Sequence, residues 1–144
     1  MIVGYNKNRR IMKTKITLFI FALAGFMASC NDYPIDDNGL LISDKTKCYM
    51  SSFNLLGTDH QNVLVTTPTV SNGLIDTVAC TVTAVAKYGT NLQKVKPYCG
   101  VTDDITVHPG MGKWIDFTEP REYTLVSGNR QIKKKYTITV TVQQ

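Results

Sequence analysis

The residues with chemistry to offer are few: two histidines, four cysteines, a single tryptophan, and scattered acids and lysines. A bound metal needs clustered ligands. His60 and His108 instead lie far apart, beside Asp59 and Pro109, and neither C-x-x-C nor H-x-x-x-H spacing occurs. No metal and no cofactor are expected. Cys80 and Cys99 fall at alternating positions of apolar stretches, where a thiol packs as a small hydrophobe instead of serving as a nucleophile. No G-x-S-x-G, P-loop or dinucleotide fingerprint is present. Asp103-Asp104 and Glu119 with Glu122 read as solvated loop acids, not as the facing carboxylates of a glycosidase. The chain is expected not to be an enzyme.

Binding is the chemistry left. Trp114 lies in the glycine-containing run Met111-Gly112-Lys113-Trp114, where an indole can stack on a sugar ring or fold back over the core with Ile115 and Phe117. Tyr88 and Tyr98 are the other candidate glycan-contacting aromatics. The basic run Lys133-Lys134-Lys135, with Arg130 nearby, has the form of a polyanion patch. On a strand, however, Lys133 and Lys135 face water and Lys134 sits where the strand begins, without interleaved aromatics. Such lysines discourage edge-to-edge pairing, and no nucleic acid is expected.

The overall charge of +5 has the same lesson. Five basic residues and no acid lie within 1–29, whereas residues 30–144 carry eleven of each sign. The basic head precedes an apolar run from Ile16 to Met27, short of the ~20 residues that span a bilayer. Such a run suits a signal-peptide core, and Met12 makes a more ordinary signal start than Met1. It ends in Met27-Ala28-Ser29-Cys30, which resembles the lipobox of bacterial lipoproteins, with Met27 in place of the usual Leu. That resemblance implies cleavage before Cys30 and lipidation of its thiol. Simple secretion after Ser29 and an uncleaved anchor are the alternatives.

The elements that would position these residues are strands. Asn31 to Asp44 holds four Asp, a Pro and a Gly with little periodicity, and reads with Cys30 as a flexible acidic tether over 30–44. From Lys45 the pattern alternates: Phe53 and Leu55, a short apolar strand Val63-Leu64-Val65, then one long strand from Leu74 to Ala86. Along that strand Val78, Cys80, Val82 and Ala84 share a face. At the end of the chain Tyr136, Ile138, Val140 and Val142 alternate with Lys135, Thr137, Thr139 and Thr141, one face for a core and one for water. About seven short antiparallel strands over 45–144 predict a single β-sandwich domain.

The fragments Ile75-Asp76-Thr77-Val78, Tyr88-Gly89-Thr90-Asn91-Leu92 with Lys96-Pro97, Asp116-Phe117-Thr118-Glu119-Pro120 and Tyr136-Thr137-Ile138-Thr139-Val140 carry a resemblance. In order and spacing they resemble an Ig-like domain of unknown function found in Bacteroides-type surface lipoproteins. Arg121 stands where that pattern usually has an apolar residue. The resemblance implies an Ig-like sandwich, a glycan-acquisition setting and no catalytic residues. Asp32, Asp36 and Asp37, just after Cys30, loosely resemble a surface-export signal of the same lipoproteins, which points to the outer face of the outer membrane over its periplasmic face. Asp76-Thr77-Val78 also resembles a short O-glycosylation site of such exported proteins.

Setting Cys30 aside leaves Cys48, Cys80 and Cys99, an odd number for an exported chain. Cys80 and Cys99 share inward parity and are candidates for one disulfide, with three free thiols as the alternative. The expected function is a non-catalytic, lipid-anchored surface domain that binds glycan or serves as a spacer in glycan acquisition. The alternatives are an adhesive module that contacts a protein through a sheet edge, and a remnant of a longer lipoprotein.

Overall fold

The computed structural model describes residues 34–144; the expected signal segment 1–29 and the lipidation site Cys30 lie outside the described residues. Seven strands form, and no helix occurs among the described residues: β1 Met50–Leu56, β2 Ile75–Asp76, β3 Thr81–Ala86, β4 Lys96–Val101, β5 Thr106–His108, β6 Arg121–Val126 and β7 Lys133–Val142. β1 and β4 pair as a two-stranded sheet, and the other five lie in the order β2-β3-β7-β6-β5. The all-β sandwich expected from the sequence is the fold adopted.

Period-two alternation builds the core. Tyr136, Ile138 and Val140 of β7 and Val82, Ala84 and Ala86 of β3 are buried, together with Phe53 and Leu55 of β1 and Tyr123 and Leu125 of β6. The Phe53 and Phe117 rings pack at 6.1 Å between centroids, tilted by 49°. Burying each such large apolar side chain contributes about 1.5–3 kcal/mol.

Three features depart from the sequence reading. The strands are not all antiparallel: β3 and β7 run parallel, Thr81 opposite Thr137 and Ala86 opposite Val142. Parallel neighbours require a long crossover, and here β4, β5 and β6 lie between the two in sequence. The long strand from Leu74 to Ala86 is broken at Thr77–Cys80 into a β2–β3 hairpin, Ile75 opposite Val82. Asp76 breaks it: Oδ1 accepts the N–H groups of Val78 and Ala79, both at 2.8 Å, and Cys80 turns into the left-handed region at φ 56°. Val78, expected in the core, is consequently 92% exposed at the tip. Val63-Leu64-Val65 contributes only an isolated bridge, Leu64 to Ala86.

The sandwich has two ends. At the proximal end Met50 opens β1 opposite Val101, the last residue of β4, and the Met50 N–H reaches the Tyr136 hydroxyl near the start of β7 at 3.4 Å. Pro34 to Asp44, expected as part of a flexible tether, folds onto this end. The Asp36 N–H donates to the Leu40 carbonyl, and the Ile42 N–H to the Pro34 carbonyl, closing a small hairpin. Arg130 clasps it: Nε lies 3.0 Å from Asp36 Oδ2, Nη2 donates to the Leu41 carbonyl at 3.0 Å, and Nη1 to the Ser127 carbonyl at 3.2 Å. The Ser43 N–H donates to the Gly128 carbonyl and the Asn129 N–H to the Lys45 carbonyl, so the chain is also stitched down just after the clasped hairpin.

Candidate functional site

The distal end holds the end of β1, the start of β4 and the ends of β3 and β7, tied by Val63 to Leu55, Lys87 to Val63 and Gln143 to Ala86 backbone hydrogen bonds. Three loop segments converge here.

The first, Gly57 to Asn62, closes on itself. Gly57 N–H donates to the Gln61 carbonyl at 3.0 Å, His60 N–H to the Gly57 carbonyl at 2.9 Å, and Gln61 N–H to Asp59 Oδ1 at 3.0 Å. A Cβ at Gly57 would come within 2.8 Å of Val63 Cγ1 and 3.0 Å of Asp59 Oδ1, so any larger residue would push these side chains aside. The closure swings His60 into the left-handed region, φ 61°, and so aims its ring outward.

The second, Lys87 to Lys94, carries Tyr88 at a turn closed by Thr90, whose N–H and hydroxyl both donate to the Lys87 carbonyl at 3.2 and 2.7 Å. Gly89 supplies the positive φ of 78°, and Tyr88 stands 83% exposed. Lys87 Nζ donates to the Asn62 carbonyl at 3.0 Å, joining the first two segments. Between them lies an open polar cleft of ≈ 460 Å³, lined among others by Asp59, Asn62, Lys87, Tyr88, Asn91 and Lys94.

The third, Met111 to Ile115, runs beside β4. Val95 and Ile115 exchange backbone hydrogen bonds at 3.1 and 2.9 Å, and the Gly112 N–H donates to the Pro97 carbonyl at 2.9 Å. Gly112, at φ 84°, lays its backbone against the Tyr98 ring, and Lys113 and Trp114 bulge out between the two attachments. Trp114 is 38% exposed and Tyr98 42%. Lys96 Nζ sits 4.6 Å from the Trp114 ring centroid, and the His60 ring meets the indole edge-on at 5.5 Å. Lys96 and Tyr98 are two apart on β4 and so share the outward face of the small sheet.

Of the sequence-predicted residues, then, Trp114 and Tyr98 come to one face, while Tyr88 belongs to the adjoining cleft. The loop Gly57–Asn62 borders both. Trp114 does not fold back over Phe117; it packs on Lys96 and His60. Neither partner was visible in the sequence pattern, because the loop closure at His60 and the course of residues 111–115 are long-range features. Asp59 and Asn62 went unrecognised for the same reason. The one available signal was parity, which puts Lys96 on the same face as Tyr98.

Cys80 and Cys99 are not bridged, and Cys48 is free as well. Cys80 lies in the β2–β3 turn with its Sγ against the Thr77 and Val78 carbonyls, whereas Cys99 lies mid-strand on β4 opposite Phe53. Parity had matched two positions that belong to different sheets. Burial pushes the Cys99 thiol up to about 11, so it is protonated and inert at neutral pH. A second groove of ≈ 310 Å³ is apolar and lined by Val65, Thr66, Leu74, Thr83, Val85 and Gln143. No group of three or more His, Cys, Asp or Glu side chains that would hold a metal occurs among the described residues.

The family described as "SGBP, N-terminal" matches residues 63–140, more than half of the chain and most of the sandwich. A crystal structure described as that of a candidate glycoside hydrolase from Bacteroides thetaiotaomicron superposes with a TM-score of 0.54 at 22% identity. The likeness covers 71% of this chain but 27% of that one, so the chain spans about a quarter of that protein's length and shares the fold of that part alone. No curated protein matches the chain.

Proposed function

The chain belongs to the SGBP N-terminal domain family, and we propose from this that it is a non-catalytic, lipid-anchored surface domain that contributes glycan binding to a glycan-acquisition system. Family membership supports a glycan-related role at the cell surface. The observation that carries the binding role is the distal face, where Tyr98 on β4 and Trp114 on the adjoining segment 111–115 stand exposed beside a polar cleft. A sugar presents apolar C–H faces and polar edges. Such a ligand needs an aromatic platform bordered by amides, hydroxyls and charges, and this end offers Asn62, Asn91 and Thr90 beside its aromatics. A glycosidase would need two facing carboxylates, and the three distal segments hold one, Asp59.

The anchor is the second part of the proposal. Cys30 would carry the lipid, and two or more acyl chains hold a protein durably where one does not. The Ig-like character of the sandwich belongs to the same reading, supported by the seven strands and their two-sheet division.

Affinity gel electrophoresis against a panel of plant and host polysaccharides tests the binding role. Retardation by at least one polymer, lost on joint Trp114→Ala and Tyr98→Ala substitution, is the expected result. No retardation by any polymer would instead favour the protein-contact module, a reading supported by the apolar groove with exposed Val65 and Val85. Labelled palmitate is expected to enter the wild type and not Cys30→Ser; incorporation in the mutant would remove the anchor from the proposal.

A further inference from the structure

We infer that the glycan recognised at the distal face is acidic, with carboxylate or sulfate groups on its sugars. The inference rests on the glycan-binding reading above and adds to it the charge of the ligand. Residues 30–144 carry eleven charges of each sign, yet the distal segments are one-sided. Lys87, Lys94, Lys96 and Lys113 stand there with His60, against the single carboxylate of Asp59.

The placement of these cations matters more than their number. Four ion pairs form among the described residues, and they engage Lys45, Lys47, Arg130 and Lys135. None of the distal lysines takes part. Lys87 is steered over the cleft by its bond to the Asn62 carbonyl, a neutral partner that leaves the charge uncompensated. The Asp59 carboxylate is turned inward to the Gln61 N–H within its own loop.

Lys96 is the decisive residue. Its ammonium lies 4.6 Å from the centre of the Trp114 ring and so occupies one face of the indole. A neutral sugar that takes this face must displace the cation and forfeit its attraction to the ring, receiving no charge partner in return. An acidic sugar keeps the ammonium as a partner for its anionic group while the ring contacts its C–H face. The lysine therefore discriminates by the charge of the ligand, and unpaired cations along the cleft extend that preference to neighbouring residues of the polymer.

Matched polymer pairs test this on the purified protein: polygalacturonate against its methyl ester, and dextran sulfate against dextran. Binding is read by affinity electrophoresis and by emission of the sole tryptophan, at 50 and 500 mM salt. The acidic member of a pair is expected to bind at least ten-fold tighter, with the preference shrinking at high salt. Lys96→Gln is expected to cut affinity at least five-fold with an unchanged thermal midpoint, and Lys133→Gln at the opposite end of the sandwich to leave it unchanged. A response to polygalacturonate assigns carboxylate, and a response to dextran sulfate assigns sulfate. Equal binding of a neutral partner, preference for neutral polymers, or an equal loss from Lys133→Gln overturns the acidic ligand while leaving glycan binding in place. Silence from these four polymers and from the wider panel overturns both.

Discussion

At the proximal end of the sandwich one guanidinium reaches a carboxylate and two backbone carbonyls within 3.2 Å, and the paired Arg130 and Asp36 side chains are largely withdrawn from water. At the distal end the aromatic side chains lie open, and Lys96 stands near the indole without an ion-pair partner among the described residues. Both ends are made of turns rich in Gly and Asn, so the turn-forming residues do not distinguish them. What differs is where the polar groups are spent. The proximal turns use theirs on the chain itself, which fixes the N-terminal segment. The distal turns use backbone groups to close the loops and leave side chains for a partner.

The sharpest way to break this contrast is at Arg130. Removing its side chain by Arg130→Ala deprives Asp36 Oδ2 and the Leu41 and Ser127 carbonyls of a charged donor, while Asp36 Oδ1 keeps the Asn38 and Leu40 N–H groups, and about 2–3 kcal/mol of stability is expected to be lost. Chemical denaturation measures it, and hydrogen exchange is expected to localise the loss to Leu40 and Ile42. Arg130 also sits at φ 62°, so Arg130→Gly relieves the backbone while removing the same contacts. A cost smaller by about 1 kcal/mol for glycine than for alanine would separate the two contributions. A loss under 0.5 kcal/mol in both variants would show that the clasp does not hold the segment.

Gly128 tests the same end by steric means. A Cβ there would collide with Ser43 Oγ and approach the Asp103 carbonyl oxygen and Lys45 Cβ at 3.1 Å. The hydroxyl can turn aside but the carbonyl cannot, so Gly128→Ala is expected to cost about 1–3 kcal/mol. Its distal counterpart Gly89 has open space around it and only a positive φ to satisfy, and Gly89→Ala is expected to cost about 1 kcal/mol. Reversal of that order would overturn the assignment of tight packing to the proximal end.

Much of the sandwich was legible because alternation reports which face is buried without reference to partners: Tyr136, Ile138 and Val140 read inward from sequence and are inward in the fold. Parity fails where a side chain captures the backbone. Asp76 binds two N–H groups that a strand would have offered to a neighbour, and every residue after it to Cys80 leaves the alternation. Pairing direction also escaped, since nothing local to β3 or β7 records that they are parallel neighbours. At the site, Trp114, Tyr98 and Tyr88 stood out as aromatics in polar surroundings. Lys96 and His60 did not, because their roles arise from a loop closure and from the course of residues 111–115 beside β4. Arg130 was read with the lysine run, whereas its partner carbonyl at Leu41 lies 89 positions away in sequence.

Acid separates the ends by a third route. The Asp36 carboxyl is held below its ordinary value of 3.8, first by the Leu40 N–H and then by the Asn38 N–H and Arg130, and Asp76 is lowered likewise by the N–H groups of Ala79 and Val78. A carboxylate with a depressed folded value adds stability that is complete above the unfolded value and lost as pH falls through the folded one. Exchange protection at Leu40, Val78 and Ala79 is therefore expected to hold at pH 5 and to decline below about 3.8. Protection that stays level from pH 5 to pH 2 would remove these carboxylates from the account of the proximal end.

The smallest effects belong to the residues assigned to binding. Tyr88 spends its ring on solvent, and Trp114 touches Lys96 and His60 at the surface instead of the core. Substitutions away from caps, cores and networks change stability within about 0.5 kcal/mol, and Tyr88→Ala is expected to fall inside that range. Trp114→Ala gives up a surface cation–π contact worth about 0.5–1 kcal/mol and is expected to cost no more than that. Urea denaturation followed by far-ultraviolet circular dichroism reads both variants without relying on the lost tryptophan. A loss of 2 kcal/mol or more at Trp114 would mean that the indole is structural, and the distal end would then resemble the proximal one in spending its side chains on the fold.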